Sequence, residues 1–139
     1  MHYFRGKRKD TKEWVFGDCV HSMYKLGDTC VGLYGTAQGM HQVIPETVGR
    51  FSGHYMTEDV EGGEACRTPI YEGDIVEPIQ GDGIHTGFSW GCQTVVFDQG
   101  AFCLRDSRGR TTPMCNYSVS VKFMLRGNVY DTPGLGVEV

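Results

Sequence analysis

Alanine and leucine are scarce in this chain: 3 alanines and 5 leucines stand against 14 valines and 11 threonines in 139 residues. The good helix formers are thus nearly missing, while the side chains that are stiff at χ1 and suit a pleated surface are abundant. Uninterrupted stretches are missing too. The 20 glycines and 5 prolines leave hardly any run of 10 residues without one or the other, and the longest such run reads as a strand. Both absences exclude a helical bundle and predict a mainly β protein of short strands. No apolar run approaches the ~18–20 residues of a membrane-spanning helix. The basic start, Met1 to Asp10, has no apolar segment behind it, which argues against a secretory signal and predicts a cytoplasmic protein.

Several chemical motifs are lacking as well. There is no C-x-x-C, no H-x-x-x-H and no G-K-[ST], so neither a paired-ligand metal site nor a phosphate-binding P-loop is written in the chain. Gly81-Asp82-Gly83 with Gly87 has neither the spacing nor the following helix of a dinucleotide loop. Gly87-Phe88-Ser89-Trp90-Gly91 matches G-x-S-x-G, but that motif needs a strand-to-helix turn and a histidine after the serine. The last histidine here, His85, precedes Ser89, so a plain glycine loop is expected. Cys19-Val20-His21, with Cys30 or His41 nearby, and the pair His85 and Cys92 are weak candidates for a metal site or a nucleophilic pair. For both, a reduced cysteine beside an unrelated histidine is the favoured reading. Accordingly, no catalytic residue, no cofactor and no metal is assigned.

What is present supports an ordinary folded core. Hydrophobic residues make up 40% and charged residues 22%, which excludes disorder, and this length buries a core without staples. The six cysteines (19, 30, 66, 92, 103 and 115) are expected as reduced thiols in a cytoplasmic chain. The net charge of −4 is mild and argues against non-specific adhesion to nucleic acid or anionic membrane.

Along the chain, 3–20 reads as a hairpin around the polar turn Arg8–Lys12, with Trp14, Phe16 and Val20 on one face. A weaker hairpin follows over 22–35. Gln42 to Pro45 is extended, because a residue before proline avoids the α region, and 49–53 is a short strand. The acidic stretch 57–68 is the expected boundary, separating an N-terminal hairpin region, 1–56, from a C-terminal region, 69–139. In the latter, Tyr71-Glu72-Gly73-Asp74 is a turn into the strand Asp74–Pro78, and 80–92 is a glycine-rich loop. Thr94–Phe97 and Ala101–Arg105 form a hairpin around Asp98-Gln99-Gly100, and Ser107–Arg110 is another turn. Residues 115–126 alternate apolar and polar side chains and predict one half-buried strand. About five short antiparallel strands suit a small SH3-like barrel, expected to pack with the N-terminal hairpin region.

Four blocks in order carry a family resemblance. They are Phe4–Lys7 with Asp10–Asp18, then Val43–Gly53, then Ile70-Tyr71-Glu72-Gly73-Asp74-Ile75-Val76, then Arg126–Leu135. With these the chain resembles the YopX family, small proteins of bacteriophages, prophages and related mobile elements. The resemblance implies an all-β fold with an SH3-like C-terminal part and brings no catalytic residues with it. The chain departs from the family in an acidic loop after Gly53 and in a longer, glycine-rich 78–92 loop.

A non-enzymatic interaction or regulatory protein acting on a host or phage protein is therefore expected. The alternative is a nucleic-acid-binding accessory protein, disfavoured by the net charge. The candidate interaction surface comprises Phe88 and Trp90, as exposed aromatics, and the basic turn residues Arg105, Arg108 and Arg110. No membrane partner is expected, while an exposed strand edge would allow self-association.

Overall fold

The computed structural model describes residues 3–21, 30–35, 39–58, 66–80, 87–118 and 120–132. It is mainly β, with two short 3-10 turns and no α-helix among the described residues. By backbone contacts the chain falls into two compact units, Met1–Phe51 and Ser52–Val139.

The first unit holds β1 (Phe4–Lys7), β2 (Trp14–His21), β3 (Cys30–Gly35), β4 (Gly39–Gln42) and the start of β5 (Gly49–Glu58). Their order is β4-β3-β2-β1-β5. The expected hairpin is β1 against β2, in the register Phe4↔Gly17 to Lys7↔Trp14. Its turn closes where the Arg8 amide donates to Glu13 O (2.8 Å) and Asp10 takes the Arg8 guanidinium (2.8 Å). β2 and β3 are antiparallel as a second hairpin requires, although its turn lies outside the described residues. β4, pairing β3 from Gly32↔Gln42 to Gly35↔Gly39, was not legible in the sequence.

Alternation sorts the side chains of β1 and β2. Phe4, Gly6 and Val15 share the inner face, where Phe4 and Val15 pack with Val48 on the buried Val43. A Cβ on Gly6 would sit 3.3 Å from both Val43 and Val48, so the close approach of these segments needs a glycine. Trp14 and Phe16 lie on the opposite face, where the Arg5 guanidinium covers the Trp14 ring at 4.6 Å. Ile44 is extended before Pro45 as expected, and the chain then makes a 3-10 turn, Pro45–Thr47. Thr47 Oγ1 locks it, accepting from the Lys7 amide (2.9 Å) and donating to Ile44 O (2.7 Å).

The second unit holds the rest of β5 and its neighbour β6 (Cys66–Tyr71), then β7 (Asp74–Gln80), β8 (Phe88–Ser89), β9 (Gln93–Asp98), β10 (Ala101–Arg105), β11 (Thr111–Pro113) and β12 (Val121–Asn128). The main sheet runs β11-β10-β9-β7-β12, antiparallel throughout, with β8 added to β7. One face of this sheet carries the core: Ile70, Val76, Val95, Leu104 and Met114 are fully buried, with Phe123 nearly so.

The turn Tyr71–Asp74 is built as its residue types require. Asp74, itself buried, accepts the Tyr71 amide on Oδ2 (2.8 Å), and Gly73 has φ +89°. Gly73 also ties together three segments: its amide donates to Val95 O (2.9 Å), and its carbonyl accepts the Val129 amide (2.8 Å). The β9–β10 turn has positive φ at both Gln99 (50°) and Gly100 (81°), the type I′ geometry whose twist matches a hairpin.

Two expectations are corrected. The single strand predicted over 115–126 starts at Val121; Met114–Asn116 form a 3-10 turn instead. Pro113 precedes that turn, and the polar side chains compete locally with a ladder: the Ser120 amide donates to Ser118 Oγ (3.3 Å) and the Val121 amide to Ser118 O (2.9 Å). In the 80–92 loop, Phe88 and Ser89 are a strand paired to Gln80 and Ile79. Residues 81–86, and 59–65 in the acidic stretch, lie outside the described residues.

Candidate functional site

The aromatic half of the expected surface does assemble. β8 is placed by a bond on the outer face of β7: Ser89 Oγ donates to Glu77 Oε2 (2.6 Å). Arg126 completes the grip, its Nε donating to Glu77 Oε1 (2.9 Å). The Ser89 hydrogen bond, with Arg126 behind it, holds the Glu77 carboxyl below its ordinary pKa, against the opposing effect of burial. With Ser89 turned outward, Phe88 projects to the other face. The Trp90 amide donates to Pro78 O (3.1 Å), which brings the indole beside it.

On that inner face the rings meet edge to face in a chain. Phe88 and Trp90 centroids are 4.8 Å apart at 87°, Trp90 and Tyr117 5.5 Å at 89°, and Tyr117 and Phe123 5.5 Å at 84°. The chain ends on His54, 5.7 Å from Phe123. It thus runs from an exposed phenyl, Phe88 at 58%, through Trp90 at 38%, into the buried core at Phe123. Edge-to-face pairs of this kind are worth ~0.5–1.5 kcal/mol each beyond area burial, so the exposed end is rigidly supported.

Trp90 and Tyr117 line a groove of about 290 Å³ whose other walls are Gln80, Thr112, Asn116, Ser118 and Val121. None of these is charged. Burial pushes the Tyr117 hydroxyl above its ordinary pKa, side-chain hydrogen bonds from Gln93 and Thr112 oppose it, and the Asp106 carboxylate adds to the upward push. It therefore stays protonated near neutrality. Gln93, 5% exposed, also donates from Nε2 to Trp90 O (3.4 Å), so one buried amide positions both rings.

The basic half lies elsewhere. Arg105 pairs with Thr111 and Thr94, one residue out of step with Leu104, Thr112 and Val95. By alternation its side chain is on the sheet face opposite Thr112 and the groove. Arg108 and Arg110 sit on the β10–β11 turn, which Asp106 organises: Oδ1 accepts the amides of both arginines (2.9 Å each), and Oδ2 takes Arg110 Nε (2.9 Å). The structure joins Phe88 to Trp90 and does not bring the three arginines to them.

The other candidates are placed as follows. Ser89 of the G-x-S-x-G sequence is bonded to Glu77 on an edge strand, with no helix behind it. Cys92 is half-buried, while His85 lies outside the described residues. Cys19 and His21 are on β2, and the backbone register sets Cys30 opposite His21. Among the described residues no group of three or more His, Cys, Asp and Glu side chains is arranged to hold a metal, and no helix is long and apolar enough to cross a membrane.

Tyr117, Gln80 and Thr112 were missed as site residues because they converge only through strand pairing. The one available signal was the cluster Asn116, Ser118 and Ser120 behind Pro113, which marks a turn where a strand was expected.

The family model described as YopX protein matches residues 3–135. No curated protein and no solved structure matches the chain significantly.

Proposed function

The chain belongs to the YopX family, and from that premise we propose that it is a non-enzymatic interaction protein of a phage or mobile element, binding a host or phage protein in the bacterial cytoplasm through the Phe88–Trp90–Tyr117 surface. The observation that carries this reading is a large aromatic held in solvent by dedicated bonds. Phe88 is 58% exposed, yet the Glu77–Ser89 bond and the Trp90 edge contact fix its position. Exposed, rigid aromatics set beside a groove whose described walls carry no charged side chain fit the buried centre of a protein–protein contact, where Trp and Tyr are enriched and charge is depleted.

The nucleic-acid alternative has less support. Phosphate contacts need cations beside the stacking rings, and Arg105 is on the opposite face while Arg110 is engaged by Asp106. Affinity capture from a bacterial host carrying the element tests the choice. A specific protein that survives nuclease treatment is expected. Recovery of nucleic acid alone, released by moderate salt, would overturn the proposal.

A further inference from the structure

Resting on the protein-binding reading above, we propose that the Thr112 end of the groove takes an acidic side chain of the partner on the Arg110 guanidinium, while an apolar neighbour of that side chain packs against Trp90 and Tyr117. The strand register brings the arginine there. Leu104 pairs with Thr112, and two steps farther along the same ladder the Asp106 amide donates to Arg110 O (2.9 Å). Arg110 thus stands two residues before Thr112, ~7 Å along an extended chain, and shares its face by alternation. A second observation agrees. The Asp106 carboxylate, to which Arg110 is bonded, is near enough to act on the Tyr117 hydroxyl, and Thr112 hydrogen-bonds that same hydroxyl.

Arg110 is oriented without being used up. Asp106 Oδ2 takes it at Nε (2.9 Å), yet its side chain is 71% exposed. Its two outer nitrogens, a fork that matches a carboxylate, make no hydrogen bond among the described residues. Anchoring at Nε lowers the rotamer freedom lost on binding. Asp106 is itself engaged by three donors, the amides of Arg108 and Arg110 and the Arg110 Nε. The turn 106–110 sets one carboxylate against two guanidiniums, so its field favours an anion. Electrostatic complementarity then selects an acidic segment. One carboxylate needs one fork, whereas a nucleic-acid strand needs cations spaced along its backbone. Arg105 is on the opposite face, and the net charge of −4 repels a polyanion.

The test selects a phage-displayed library of random dodecapeptides on the immobilised full chain, with Arg110→Gln and Trp90→Ala as parallel baits. Glutamine keeps a donor for Asp106 and removes the charge, and urea midpoints confirm that each variant folds. The expected peptides place an aspartate or glutamate beside a large apolar residue. The acidic preference should vanish on Arg110→Gln, and enrichment altogether on Trp90→Ala. With the strongest peptide fluorescein-labelled and followed by anisotropy at low salt, Arg110→Gln should weaken binding about fivefold, Trp90→Ala about tenfold or more, and Arg105→Glu should leave it unchanged. An acidic preference that persists on Arg110→Gln, or no enrichment at all, would overturn the proposal. Enriched peptides that need Trp90 but lack acidic residues would overturn the acidic assignment and leave the protein-binding reading standing. Displacement of the labelled peptide by oligodeoxythymidine would overturn both.

Discussion

At Gly73 the backbone has φ +89°, and a Cβ would lie 2.9 Å from Tyr130 Cε2. Two penalties therefore add for Gly73→Ala, the left-handed conformation and the clash with a ring, for an expected loss of about 2–4 kcal/mol. Gly109 has a similar φ, +81°, but open space around its Cβ position, so Gly109→Ala should lose only about 1–2 kcal/mol. Urea unfolding of the two variants measures the difference, and equal losses would refute the role given to Tyr130. His54 supplies a second residue-scale prediction. Burial against Phe123 lowers its pKa, so the unfolded chain takes up the proton first as pH falls through the ordinary histidine value of about 6.5. Stability is fully present above that value and declines below it until the folded-state pKa is passed. Glu77 works at lower pH: its stabilisation is lost only as pH falls through its own depressed value. Between about pH 7.5 and pH 5.5, His54→Phe should flatten the pH dependence of the urea midpoint, keeping the ring while removing the titration. An unchanged slope would show that other groups set it.

Among the elements, the β9–β10 hairpin carries an imperfect turn. Type I′ geometry favours Asn-Gly, and Gln99 occupies its first central position at φ 50°. Gln99→Asn should stabilise the protein by about 0.5–1 kcal/mol, since asparagine tolerates this region better. A lower urea midpoint would contradict the assignment. Much of this level was legible in the sequence, because short-range chemistry specifies it: Asp98-Gln99-Gly100 marked a hairpin, Gly73-Asp74 a turn into β7, and the alternation from Val121 to Leu125 a half-buried strand. The stretch from Cys115 to Ser120 was misread for the same reason. Its alternation is real, but Pro113 and the serine hydroxyls settle the local backbone, and Met114 turns into the core. β8 was hidden because two residues in a glycine-rich stretch carry no periodicity; its pairing with β7 is a property of the fold. The groove was hidden more deeply still. Gln80, Thr112 and Tyr117 come from three separate segments, and only the register brings them together.

For the molecule as a whole, what matters is which face meets a partner. The main sheet separates two surfaces, an aromatic one with Phe88, Trp90 and Tyr117 and an opposite one bearing Arg105, Glu77 and Arg126. Replacing a rigid aromatic at a binding centre typically costs about tenfold or more in affinity, while rim and remote charges cost little. The most direct measurement is side-by-side affinity capture from the host by the wild-type chain, Trp90→Ala and Arg105→Glu, all with matching urea midpoints. The expected result is one protein partner retained by wild type and Arg105→Glu and lost by Trp90→Ala. Retention by Trp90→Ala with loss by Arg105→Glu would contradict the account and move the interaction surface to the other face.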